Sequence, residues 1–334
     1  MNLLTRVAQI LPPTVARRLR DRLEAHRRHH PAPHRGRPEY GLTSAQVYPS
    51  GTHFDTCLEA GLASTFDGLV IQQDTPVASL GSCFADEFAL HMRRTGFNYV
   101  TTEAGTFPAS ANWGRVYTIP AFRQIVRYST DETFPVAVEQ GPGGWFDPLR
   151  DPAIGHFPTR VAAAAAIGAH RAASRRAFAT ARVLILTLGQ NEAWVDPQSN
   201  LVWASRPPQA ILDEAARPLA PRTFSFEDDV DGLEDALDRL TMLNPDLKVL
   251  VTVSPVASYA TFCGVEAITQ SFAAKAILRA VADRITHRRP RVWYFPAFEM
   301  ALAYNPHTLR ADNRHVTPAT VNRIFALLIR TLVR

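Results

Sequence analysis

The stretch PVASLGSCFADEFALHM, residues 76–92, decides how the rest of the chain is read. Val77–Leu80 is a short apolar run of the kind a buried strand uses, and it stops at Gly81. Ser82 and Cys83 follow, and a helical pattern then runs from Phe84 to Arg94. A strand that hands over to a helix through Gly-Ser-Cys puts two nucleophile-type side chains at its carboxyl end.

The same alternation recurs outward from this point. Phe97–Val100, Arg182–Leu188 (RVLILTL), Leu247–Val253 (LKVLVTV) and Arg291–Phe295 (RVWYF) read as further strands. Near-continuous apolar runs among them suit strands buried on both faces. Helices are expected over Phe84–Arg94, Thr159–Ala179, Glu227–Leu243 and Ile268–Ile285. A last helix follows Pro318, which suits a first helical turn. Strand–helix alternation implies a parallel sheet covered on both faces. Open sheets of this kind bind ligands at the carboxyl ends of their strands.

Those ends carry a chemically coherent set. Gly81-Ser82-Cys83 follows the first strand, and Asn112-Trp113-Gly114 follows the second. Gly189-Gln190-Asn191-Glu192-Ala193-Trp194 and Ser254-Pro255 follow the third and fourth. Asp312-Asn313-Arg314-His315 stands just before the last helix. Acyl transfer needs a nucleophile, a base to take its proton, a carboxylate to orient the base, and donors for the oxyanion.

Composition narrows the remaining classes. The 334 residues suffice for one large domain with insertions. No apolar run is long enough to span a bilayer, and the first residues lack a secretory layout, so the protein is expected to be cytoplasmic. Cys57, Cys83 and Cys263, an odd number at wide spacing, form neither a disulfide framework nor a zinc site. The net charge of +5 is uneven: residues 1–37 carry nine arginines against Asp21 and Glu24, and the remainder sums to −2. The body therefore has no basic bias that would suggest nucleic acid. Residues 1–40 read as a basic tail, flexible or helical, that could reach a membrane surface or an acidic protein through residues 1–37. The histidines at 29, 30 and 34 lie in an arginine-rich, proline-broken run that does not suit a metal.

The order Gly-x-nucleophile, Asn-x-Gly, Gly-x-Asn, Asp-x-x-His resembles that of the SGNH (GDSL-type) hydrolases. GSCFA at 81–85 resembles the signature of the GSCFA-domain family, an SGNH-like group. NWGRVYT (112–118), WFDPLR (145–150), LTLGQNEAW (186–194), VTVSPV (251–256), YFPAFEM (294–300) and DNRHVTP (312–318) are similar to that family as well. The resemblance implies an α/β fold: a flavodoxin-like three-layer α/β/α sandwich with a central parallel sheet, over residues 41–334 with a long insertion at about 115–180. It implies His315 as general base, Asp312 as its orienting carboxylate, and Asn191 and Gly114 as oxyanion donors beside the nucleophile's own N–H.

An ungapped overlay on Gly-Asp-Ser puts Cys83 at the nucleophile, with Ser82 where the family's aspartate sits. The start of a helix would lower the Cys83 thiol pKa. Ser82 becomes the attacking group if the turn is one residue tighter. Glu192 and Trp194 are candidate substrate contacts, with a helix cap and a packing aromatic as the alternative. Ser254 and Pro255 are expected at the pocket floor. Glu299 could cap or bind. Lys275 is expected on a solvated helix face, with an ion pair near the site or contact with an anionic substrate as the alternative. The segment 141–158, rich in Gly, Pro and aromatics, reads as a lid whose Trp145, Phe146 and His156 touch substrate, with a structured crossover that covers the sheet as the alternative. The activity expected is acyl-ester hydrolysis or O-acyl transfer on a small-molecule or glycan substrate, with no cofactor; no phosphate-cradling glycine loop is present. The alternative is a binding module that kept the fold.

Overall fold

Four of the apolar runs pair as one parallel sheet in the computed structural model: β1 (Val77–Gly81), β5 (Val183–Leu188), β8 (Lys248–Val253) and β9 (Val292–Phe295), in the order β1-β5-β8-β9. Val77 stands opposite Val183, Leu188 opposite Val253, and Val251 opposite Tyr294. The structure describes residues 15, 17, 40–43, 46–49, 53–135, 137–214, 218–303 and 308–333. The basic tail lies outside these, save Val15 and Arg17, which are helical and exposed, and the exposed Tyr40. Helix α1 (Phe54–Thr65) belongs to a compact unit that ends at Gly68; all other elements belong to a second unit from Leu69 onward.

The strand expected at Phe97–Val100 is reduced to a single bridge between Tyr99 and Val77. Val77 N–H donates to Asn98 O, and Val100 N–H to Val77 O. The next outward N–H of β1, on Ser79, is taken instead by the Ser110 hydroxyl at 3.0 Å. Thr102 already pairs with Ser110 O, so the chain has turned away before a ladder can form. This edge segment lies on one side of β1 and β5 on the other. The winding therefore reverses at β1/β5, the switch point where an open sheet leaves a crevice.

The two faces of the sheet bury different helices. Ala78, Leu80, Leu184, Leu186, Val249 and Val251 join one large core with Phe122 and Ile125 of α3 (Ile119–Thr130), Ile167 and Phe178 of α4 (Arg160–Thr180), Leu233 and Leu237 of α6 (Phe226–Leu243), and Leu278 and Ile285 of α7 (Ala267–Arg288). The alternate positions Val77, Ile185 and Leu250 are equally buried and face the other way. On that side α2 (Cys83–Arg94), α8 (Ala297–Ala303) and α9 (Pro318–Leu332) form the third layer. Phe84 and Phe88 of α2 meet Phe325 of α9 at 5.8 and 5.4 Å between ring centroids.

Local chemistry sets the helix starts. Ser225 and Asp228 form a reciprocal capping box on α6, and Thr317 caps α9 with Pro318 in its first turn. The long crossover between β1 and β5 holds α3, α4 and a small antiparallel sheet of β2 (Glu139–Gly141), β3 (Gly144–Phe146) and β4 (His156–Phe157). A second ribbon pairs β6 (Glu192–Val195) with β7 (Ala220–Thr223), and α5 (Gln209–Leu212) is a single turn before it. No helix among the described residues is long and apolar enough to cross a membrane.

Candidate active site

β1 ends where it approaches β5 most closely. A Cβ on Gly81 would lie 2.3 Å from Thr187 O, so only glycine fits there. Ser82 then leaves the sheet in an extended conformation and becomes the N-cap of α2. Its N–H donates to Thr187 O at 3.2 Å, and its carbonyl accepts from Ala85 N–H at 2.7 Å. The Ser82 side chain makes no capping bond; its Oγ is buried and has no hydrogen-bond partner among the described residues. Cys83 opens the helix, half-buried. Its N–H has no acceptor within the helix, the ordinary state of a first-turn amide.

Ser82 and Cys83 line a cavity of about 440 Å³ over the carboxyl ends of β1, β5 and β8, and His315 lines it too. A tight turn delivers the histidine. Arg310 N–H donates to His315 O at 2.7 Å, and Leu309 bridges Val316. Asn313 sits at the apex with φ +54°, a conformation that asparagine tolerates better than most residues. Asp312 organises the turn from within. Its Oδ1 accepts the N–H groups of Arg314 and His315 at 3.1 and 3.0 Å, and its Oδ2 accepts from His315 Nδ1–H at 2.5 Å. These three donors, the imidazole first, hold the Asp312 carboxyl well below the usual carboxylate range. With Nδ1 as donor, Nε2 is the free basic nitrogen.

Burial pushes the Cys83 thiol up, against the opposing charges of Arg115, Lys275 and Arg314. The expected lowering at a helix start is therefore not what the surroundings favour: desolvation outweighs it. A thiol in this state needs a base. Lys275 also departs from expectation. It is buried, and its ammonium donates to Gly189 O at 2.5 Å. Burial pushes it down to about 7, with the thiolate form of Cys83 opposing that shift. The sequence carries a signal for this position. Ser271, Lys275, Leu278, Ala282 and Ile285 recur at helical spacing along the buried stripe of α7.

Residues 76–327 match the model of the GSCFA family. The chain belongs to the GSCFA family. The match runs from the residue before β1 into α9, so the GSCFA region contains the whole sheet and the turn that carries His315. Among solved structures, a Clostridium thermocellum family 3 carbohydrate esterase is similar at 13% identity and a TM-score of 0.35, over 77% of this chain and 94% of that one. No curated protein matches the chain by sequence.

Several residues of the GSCFA motifs stand away from the cavity. Asn191 is fully buried, and its side-chain amide donates to Phe224 O at 3.0 Å while its backbone carbonyl accepts Phe224 N–H at 2.8 Å. It thereby ties the loop after β5 to the chain leaving β7. Gly114 has φ +76°, and a Cβ there would lie 2.5 Å from that of Asp151, so its position is a turn against the 151 loop. Neither is brought to the cavity. Gln190, one residue before Asn191, does line it, with its Oε1 accepting from Ser258 Oγ at 3.2 Å. Adjacency to the Gly-x-Asn motif is the only sequence signal for Gln190.

Glu192 and Trp194 border a side cavity of about 50 Å³ that shares Gln190, Arg206 and Phe262 with the main one. Glu192 accepts from Thr261 Oγ1 at 2.5 Å and Phe262 N–H at 2.7 Å, so it anchors the loop after β8. The Trp194 ring lies 5.3 Å from that of Phe262. Ser254 is buried on the main cavity, where its Oγ accepts Val256 N–H. Glu299 is engaged elsewhere, by Arg279 and Tyr294 at 2.7 Å each.

The expected lid is a structured crossover instead. Trp145 pairs across from Phe157, with the Arg160 guanidinium 5.7 Å from its ring, and Phe146 stacks on His156 at 4.5 Å. None of the three lines the cavity. Phe146 packs with Trp203 and Ile211 in a separate apolar cluster, which holds this ribbon in place. Among the described residues, no three His, Cys, Asp or Glu side chains come together as metal ligands.

Proposed function

We propose that this GSCFA protein is an acyl-ester hydrolase or O-acyltransferase that works through an acyl-enzyme on Cys83. The observation that supports this reading is that Cys83 and His315 line one cavity while Asp312 holds His315 by Nδ1. His315 Nε2 takes the Cys83 Sγ proton. The thiolate attacks the ester carbonyl carbon, and a C–S bond forms as the carbonyl oxygen becomes an oxyanion. Collapse breaks the ester C–O bond, and His315 returns the proton to the departing alkoxide. Water or an acceptor hydroxyl, deprotonated by the same Nε2, then attacks the thioester and frees Cys83. Donors for the oxyanion are the Cys83 N–H at the start of α2 and the Gln190 side-chain amide. A cavity of about 440 Å³ suits a small-molecule ester or a single acylated sugar residue.

Ser82 is the alternative nucleophile, one residue earlier and with its Oγ out of contact with solvent. Release of p-nitrophenol from p-nitrophenyl acetate separates the two. Cys83→Ala and His315→Ala are expected to slow turnover by about 100-fold or more, and Ser82→Ala by less than about tenfold. The reverse ranking of the Ser82 and Cys83 variants would transfer the role to serine.

A further inference from the structure

The cavity is lined by cations, and the carboxylates nearest it are engaged, Asp86 by Arg115 and Glu192 of the side cavity by Thr261 and Phe262 N–H. Arg115, Arg206 and Arg314 line it, and no acidic side chain does among the described residues. Arg115 is spoken for, since its Nε donates to Asp86 at 2.9 Å. Arg206 and Arg314 are not. Among the described residues, the Arg206 guanidinium hydrogen-bonds only to neutral groups, the Pro207 carbonyl and the Gln209 side-chain oxygen. Arg314 donates to Ala257 O at 3.2 Å, and its Nε is buried with no partner among the described residues.

One loop positions both guanidiniums. Arg314 lies over the Tyr259 ring at 5.1 Å, and Arg206 over the Phe262 ring at 5.5 Å. Tyr259 and Phe262 are three residues apart in the uncharged loop after β8, and both line the cavity. Stacking on an aromatic face fixes the plane of a guanidinium and leaves its edge N–H groups for an oxyanion. Below about pH 7, buried Lys275 adds a further cation coupled to Cys83. Uncompensated cations in a walled cavity concentrate anions there.

We propose that the acyl substrate carries an oxyanion group, carboxylate or phosphate, which Arg206 and Arg314 bind while Cys83 attacks the ester. This rests on the reading of Cys83 as the reactive group. It makes the arginines determinants of substrate choice, with anionic esters turned over faster than neutral ones.

Two alkylating reagents of nearly the same shape test it on the folded protein. Iodoacetate is an anion and iodoacetamide is neutral. Their rates at Cys83 are read by peptide mass spectrometry at low ionic strength and referred to the same pair on a free cysteine peptide. Taking the ratio removes any change in thiol pKa that a variant introduces. The wild type is expected to prefer iodoacetate over that reference. Arg206→Gln and Arg314→Gln are each expected to cut the preference by about fivefold. Arg206→Lys should retain most of it, and Arg182→Gln, at an exposed arginine paired with Asp246 far along the chain, should leave it alone.

A ratio equal to the reference, insensitive to both arginines, overturns the anion subsite while keeping a reactive Cys83. Failure of both reagents to label Cys83 overturns the nucleophile, and the inference falls with it. Competitors separate the two anion chemistries. Inorganic phosphate that slows iodoacetamide in the wild type but not in Arg206→Gln points to a phosphate-bearing substrate, and acetate behaving so points to a carboxylate. Protection by neither contradicts the proposal.

Discussion

Lys275 and Cys83 titrate in each other's field, and that has consequences that pH can read. Below about 7 the lysine is charged and favours the thiolate; above it that help disappears. Lys275→Met is therefore expected to slow Cys83 alkylation below pH 7 and to leave it unchanged above, where the lysine is already neutral, while an unrelated core effect would change stability alone. The stability effect also has a definite sign. Between about 7 and 10.5 the unfolded chain binds a proton that the native protein does not, so this group's contribution rises with pH across that window and is lost as pH falls through 7. Urea titrations of wild type and Lys275→Met should therefore converge toward high pH, and the variant should be the more stable below pH 7. Gln190→Ala is expected to lower turnover on the order of 100-fold through loss of an oxyanion donor. A loss below tenfold would remove that role. At this scale the sequence singled out Ser82, Cys83, Asp312 and His315 because each lies in a short motif, and the structure sets Ser82, Cys83 and His315 on one cavity. Gln190 was not legible, and Lys275 showed only as one position of a buried helical stripe. Their chemistry depends on what a distant strand end places beside them.

The turn that carries His315 is an element whose shape matters more than its composition. Asn313 holds φ +54°, which a β-branched residue adopts only with strain. Asn313→Val is expected to cost about 1–2 kcal/mol and more than tenfold in activity, and Asn313→Gly to retain both. Thermal unfolding and p-nitrophenyl acetate turnover, measured side by side, check this. The strands were readable because buried parallel strands are continuous apolar runs, and β5 and β8 match that reading to within a residue or two. Phe97–Val100 failed as a strand because a side-chain hydroxyl, Ser110 Oγ, took the N–H that a ladder required. The ribbons β2–β4 and β6–β7 left no such trace. Segments such as Glu139-Gln140-Gly141 and Ala220-Pro221-Arg222-Thr223 lack an apolar alternation and pair only because the connections after β1 and after β5 bring their partners together.

Across the whole molecule, the motifs divide into those that build the cavity and those that hold the crossover over the sheet. Arg150 donates to Asn112 O at 2.9 Å and pairs with Glu103 at 3.4 Å, and His170 Nδ1–H donates to Glu103 at 2.5 Å. Trp113 joins them through Ser174 Oγ at 2.8 Å and stacks on Phe178 of α4. Glu103 thus neutralises a buried arginine and orders three segments at once. Glu103→Ala, which leaves Arg150 buried without its carboxylate, is expected to destabilise the fold by about 3 kcal/mol in urea titrations. The cavity itself follows from the winding reversal at β1/β5, which sets Cys83 at the end of the first strand opposite a turn more than two hundred residues later. The most direct test of the central claim is the intact-protein mass after brief exposure to p-nitrophenyl acetate. One acetyl group is predicted, mapped to Cys83, retained in Ser82→Ala and lost in both Cys83→Ala and His315→Ala. An acetyl group that persists in Cys83→Ala, or none on the wild type, would contradict an acyl-enzyme on Cys83.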